Sequence, residues 1–226
     1  MNLTANRLTA ISGLCAAAAG AIFIGVQINH PYLDARSIVT TDVEVRDNLK
    51  VLMCVLALAG ISGMYLSQAR RNGRLGLVGY LVLSAGYLTI LCTSFVAAYV
   101  LPALATTVPG YVDDVTAIAT NRSSDGDIGV LSSVFQVQGI LYLAGGLMFG
   151  IALYRARVLT RWAAGLLGAG GLVSAALSVM PDAFYRFLAF PNGIAMIALG
   201  ISLWRTAGQA EAETAPSRRA MATAVR

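Results

Sequence analysis

Apolar residues in this chain come in long blocks, with neither the two-residue alternation of a half-buried strand nor the narrow stripe of a soluble amphipathic helix. Six stretches carry no charged side chain: residues 8–29, 51–69, 75–112, 128–154, 162–181 and 187–204. About 20 apolar helical residues cross roughly 30 Å of hydrocarbon, and in lipid every backbone N–H and C=O must be paired within the spanning element. The pattern predicts an all-α polytopic membrane protein, a bundle of about six transmembrane helices over residues 1–206. Residues 207–226 are polar and Ala-rich, and are expected to form a disordered cytoplasmic tail.

The connections sharpen this picture. Short Arg-rich links at 70–74 and 155–161 predict antiparallel hairpins. On the opposite side, the loop over 30–50 opens on His30-Pro31, where proline disfavours helix for the preceding residue. It ends in Thr41-Asp42-Val43-Glu44, a capping-box pattern, with Asp47 further along. Arg46 and Lys50 are placed to pair with Asp42 and Asp47, so these charges read as a solvated, well-capped helix start.

The second loop on that side, from about 101 to 127, is broken by Pro102 and Pro109-Gly110. Residues 111–119 are expected to form a short helix with Val112, Val115, Ile118 and Ala119 on one side, lying on the membrane or lidding the bundle. Asp125-Gly126-Asp127 lacks the other ligand positions of an EF-hand and reads as a turn and a cap. Pro191-Asn192-Gly193 is expected to loosen the start of the sixth span. Gly13, Ala17, Ala21 and Gly25 form a ladder of small residues, and Gly146 and Gly150 repeat the spacing. Such faces let helix backbones approach closely, so the first span is expected to pack within the molecule, with the fourth as partner.

Composition agrees. The chain is 57% hydrophobic and only 12% charged, with mean hydropathy +0.71, whereas soluble domains carry about 25% charged residues. Its fifteen Arg and one Lys are dispersed at the ends of the apolar runs, which points to topology and away from nucleic acid. Assigning loops alternately to two sides puts eleven of the sixteen cations on the side of the termini. By the positive-inside rule both termini are then expected in the cytoplasm. Cys15, Cys54 and Cys92 all fall inside apolar runs without a CxxC spacing, and read as buried thiols.

No carboxylate, His or Lys lies deep in a span, which weighs against an ion-driven carrier. The polar residues gather instead in the outer half: Gln27, Asn29 and His30; Thr89, Thr93, Ser94 and Tyr99; Ser132, Ser133, Gln136 and Gln138; and Asn192. Hydrogen bonding between helices would account for them. So would an outward-facing pocket lined by Gln27, His30, Tyr99, Gln136 and Asn192, with a membrane lipid or an apolar small molecule as its occupant. A binding or accessory role is the first functional class. The second is an intramembrane enzyme acting on an isoprenoid or lipid, with Glu44, Asp182 or His30 as the acid. The third, a facilitative transporter, requires a polar path to both faces, and the inner halves of the spans are apolar. With a single histidine and no nucleotide or hydrolase fingerprint, neither a metal nor a cofactor is expected.

Taken together, His30-Pro31, Leu75-Gly76-Leu77-Val78-Gly79-Tyr80, Val100-Leu101-Pro102-Ala103-Leu104-Ala105, Pro109-Gly110-Tyr111-Val112 and Gly200-Ile201-Ser202-Leu203-Trp204-Arg205 resemble a family of small, uncharacterised multi-pass membrane proteins of high-GC bacteria. The resemblance covers most of the chain and implies a localisation and a span count, but no activity.

Overall fold

The computed structural model describes residues 4–177 and 189–224, and every regular element among them is helical. The helices are α1 (Ala5–Gly25), α2 (Thr41–Leu66), α3 (Ala69–Phe95), α4 (Pro109–Ala119), α5 (Val130–Ala156), α6 (Arg161–Leu177) and α7 (Ala189–Ala224). Four of the described helices are long and apolar enough to cross a membrane: Ala5–Gly25, Thr41–Leu66, Ala69–Leu104 and Val130–Ala156. The third includes a π-helical turn, Val96–Val100, and one further helical turn, Leu101–Leu104. The apolar run 75–112 is thus a single span that stops short of Pro109, where α4 begins.

Six helices close into a ring in the order α1, α2, α3, α5, α6, α7 and back to α1. Their shared core holds Met53, Cys54, Ile61, Tyr87, Phe149, Leu153, Met196 and Leu199, all buried. Glycines set the spacing of the ring. A Cβ on Gly79 would stand 2.5 Å from the Phe149 amide nitrogen, and one on Gly150 would stand 2.5 Å from that of Gly168. Such backbone contact supplies the close packing that helices in lipid otherwise lack.

The first helix does pack within the molecule, but on α7 and α2 and not on the fourth span. Its buried face is Gly13, Ala16, Ala19 and Gly20, whereas Ala21 and Gly25 are exposed. A 3.6-residue helix drifts off any strict four-residue ladder within two turns, which is why the lower half of the expected ladder turns outward. Gly146 and Gly150 face α6 instead.

Other details differ from the sequence reading. Thr40, not Thr41, is the residue before α2, and its hydroxyl donates to the Ser37 carbonyl at 2.6 Å instead of closing a capping box. Pro191 sits in the first turn of α7, where its missing N–H costs no helical bond, so no break appears there. The backbone of α7 stays helical to Ala224 through the stretch whose composition predicts a disordered tail; Ala, Glu and Gln there are strong helix formers.

Candidate functional site

At the loop end of the ring the connections fold over the helix ends and build a second, smaller core. Ile38 and Val43, Leu101 and Ala105, Val112 and Val115 of α4, and Ile128 are all buried together. The short helix expected over 111–119 therefore lids the bundle, with Val112, Val115, Thr116 and Ala117 facing inward.

Polar bonds stitch the lid to the first loop. The Ala35 amide donates to Asp113 at 2.7 Å. Arg122, just past α4, donates to the Leu33 carbonyl at 2.6 Å, to Thr120 Oγ1 at 2.9 Å and to the Tyr32 hydroxyl, and its guanidinium lies 4.0 Å over the Tyr32 ring. Within the loop, Asp34 accepts from the Ser37 amide at 2.7 Å and the Arg36 amide at 3.0 Å. The Ser37 amide is the main reason the Asp34 carboxyl is held below its ordinary range; partial burial opposes the effect, and the Arg36 amide and charge add to it. Asp127 closes the expected turn, accepting from the Gly129 amide at 2.7 Å, but no side chain caps the start of α5. Among the described residues no His, Cys, Asp and Glu group could hold a metal ion.

Beneath the lid is a partly enclosed chamber of about 250 Å³. Its walls differ in kind. The first loop and α2 contribute Gln27, His30, Asp47 and Lys50, whereas α3 and α5 contribute mainly Ile90, Val96, Leu101, Leu131 and Phe135. Thr93 crosses between the apolar helices, donating to Gln138 Oε1 at 2.7 Å. Asp47 is only 1% exposed, and its carboxylate lies 2.8 Å from the Lys50 ammonium. Lys50 Nζ also lies 3.3 Å from His30 Nε2, and His30 Nδ1 lies 2.9 Å from the Pro31 carbonyl. An ammonium can only donate and a carbonyl can only accept, so this pairing assigns the neutral histidine with its proton on Nδ1.

Two of the five pocket residues expected from sequence, Gln27 and His30, line this chamber. The others lie elsewhere. Tyr99 is half exposed on the outside, donating to Asn48 Oδ1 at 2.6 Å. Gln136 is exposed on the outer surface of α5. Asn192 is buried, with its side chain occupying the space a Cβ on Gly170 would need. Glu44, a candidate acid, is exposed, and Asp182 falls outside the described residues. The reading of Asp47 as part of a solvated helix start is corrected: Asp42 and Arg46 form the outer pair expected, at 3.0 Å, but Asp47 and Lys50 form theirs inside the chamber. Arg122, which the sequence offers only as a topological charge, is another chamber residue that sequence reasoning passed over.

No family model, curated protein or solved structure matches the chain.

Proposed function

We propose that this is a six-span protein of the bacterial cytoplasmic membrane, with both termini in the cytoplasm, that binds a lipid or a similarly apolar small molecule in its outer chamber. The chamber itself carries the reading: it is lidded by α4 and combines an apolar wall with a few convergent polar groups, the usual make-up of a small-molecule site. Four long apolar helices and the eleven-to-five cation split support the membrane assignment. Below the chamber, buried Met53, Cys54, Tyr87 and Phe149 fill the ring, which disfavours a transport path reaching both faces. The enzymatic alternative is weaker because Glu44, one of its candidate acids, is exposed and does not line the chamber.

Native mass spectrometry of gently extracted protein tests the proposal. A bound lipid or small molecule is expected on the wild type and should be lost from Ala97→Trp, which fills the chamber. An empty wild type, or a ligand retained equally by the filled variant, would overturn it.

A further inference from the structure

Two cations of the chamber hold opposite ends of one short stretch of the first loop. Lys50 reaches His30 at 3.3 Å, and Arg122 reaches Leu33 at 2.6 Å and the Tyr32 hydroxyl. Both line the chamber, and among the described residues one carboxylate, Asp47, lines it with them. That carboxylate is paired with Lys50 at 2.8 Å. Arg122 has only neutral partners: a hydroxyl on Thr120, one on Tyr32 and the Leu33 carbonyl. Asp34, Asp113, Asp114 and Asp125 line the groove outside, and none forms an ion pair with Arg122 among the described residues. With His30 neutral, the described side chains that line the chamber sum to one positive charge.

Donors are also in surplus. An ammonium has three N–H groups and a guanidinium five. Lys50 uses two, on Asp47 and His30, and Arg122 uses three. A partly desolvated site with unspent charged donors and no matching carboxylate favours an incoming oxyanion, because charge-assisted hydrogen bonds are about twice as strong as neutral ones. A cation would meet repulsion from two groups and attraction from one. Size bounds the rest of the ligand. At roughly 30 Å³ per water, the 250 Å³ of the chamber equals about eight waters, so a head group and a short chain fit inside, and the rest of a lipid would extend through the open side.

We propose that the chamber binds an amphiphile by a singly charged oxyanion head held between Lys50 and Arg122, with a short apolar chain lying along Ile90, Leu101, Leu131 and Phe135. This rests on the binding role proposed above and names the chemistry of its ligand. A fatty carboxylate and the phosphodiester head of a membrane lipid share that chemistry.

The test is equilibrium binding to the full-length protein in a nonionic detergent, using octanoate, octan-1-ol, octylamine and dihexanoylphosphatidylglycerol as probes. Octanoate or the phosphodiester lipid should bind best, and the better of the two identifies the source of the head. Lys50→Gln and Arg122→Gln should each weaken that binding about tenfold or more, while Lys50→Arg should retain most of it and serves as the control for folding. If octanol binds as tightly as octanoate and ignores both substitutions, the anionic head is wrong but a binding chamber stands. Preference for octylamine would also overturn the inference, by making Asp47 the determinant. Failure of every probe, with no co-purifying ligand, would remove both proposals together.

Discussion

Gly13 of α1 and Gly200 of α7 meet backbone to backbone: a Cβ on Gly13 would stand 2.6 Å from the Gly200 carbonyl oxygen, and one on Gly200 would meet the Gly13 carbonyl in turn. No rotamer change relieves a clash with main chain, so the two helices would have to separate. Gly200→Ala is therefore expected to destabilise the detergent-solubilised protein by about 1–3 kcal/mol, the usual range for overpacking. Gly139→Ala is the matched control. Gly139 also lies within a helix but has nothing within 4 Å of the added methyl, so its melting temperature should hold or rise slightly through better helix propensity. Equal losses at the two sites would show that the α1–α7 contact does not govern stability.

Four of the six expected spans appear as long apolar helices, and they were legible because their signal is a property of composition over about 20 residues, insensitive to which face each residue occupies. The site depended on faces. Val43, Asp47, Cys54, Ala57, Ile61 and Met64 are all buried and follow the helical period along one side of α2, so the position of Asp47 was readable from periodicity once its charge was not taken as proof of solvation. Gln138 lies two turns before buried Gly145, whereas Gln136 lies half a turn round from it; the same count selects the correct glutamine. Arg122 was not readable in this way. It reaches the chamber because α4 packs back against the turn at Leu101–Leu104 and the start of α5 and brings the residue against Tyr32 and Leu33, ninety and eighty-nine positions away in the chain. Nothing local in the sequence encodes that return.

The Asp47–Lys50 pair gives a double-mutant test. Asp47 is 2% exposed in its side chain and Lys50 is 21%, so the pair lies between a surface bridge and a fully buried one. Removing one partner leaves the other charge poorly solvated. Asp47→Leu alone should cost about 2–4 kcal/mol, and Asp47→Leu with Lys50→Met should cost less than that single change. Chemical unfolding in detergent reads both. Strict additivity would mean that the two charges act independently in spite of their contact.

Asp34 gives a pH dependence of known sign. Its carboxyl is held below the ordinary value of 3.8 by the Ser37 amide, so its contribution is complete above that value and is lost as pH falls through the lower, folded one. Asp34→Ala should accordingly melt below the wild type at neutral pH, and the gap should narrow in acid below about pH 4. Melting curves of both proteins from pH 7 downward suffice. A gap that stays constant until the wild type itself unfolds would show that the Asp34 charge is not what orders the loop.

Topology supplies the last test, because the proposed membrane arrangement puts the lid and the two Arg-rich hairpins on opposite faces. Arg70, Arg71 and Arg74 flank the non-helical Gly73 at the start of α3, and Arg155, Arg157 and Arg161 surround the turn from α5 to α6, while α4 and Asp125 lie at the other end of the ring with the first loop. Cys15, Cys54 and Cys92 are free thiols and would be replaced by Ala first. Cys54 is fully buried, so its replacement leaves a small void and a modest loss of stability. On that background a cysteine at Asp125, which is exposed, should react with a membrane-impermeant maleimide in intact cells. One at Asn72 is too buried to serve, so Arg71→Cys, which is exposed, is the inner probe and should react only after the cells are opened. The reverse pattern would invert the protein, place the chamber on the cytoplasmic face, and show that the cation count misassigns this chain.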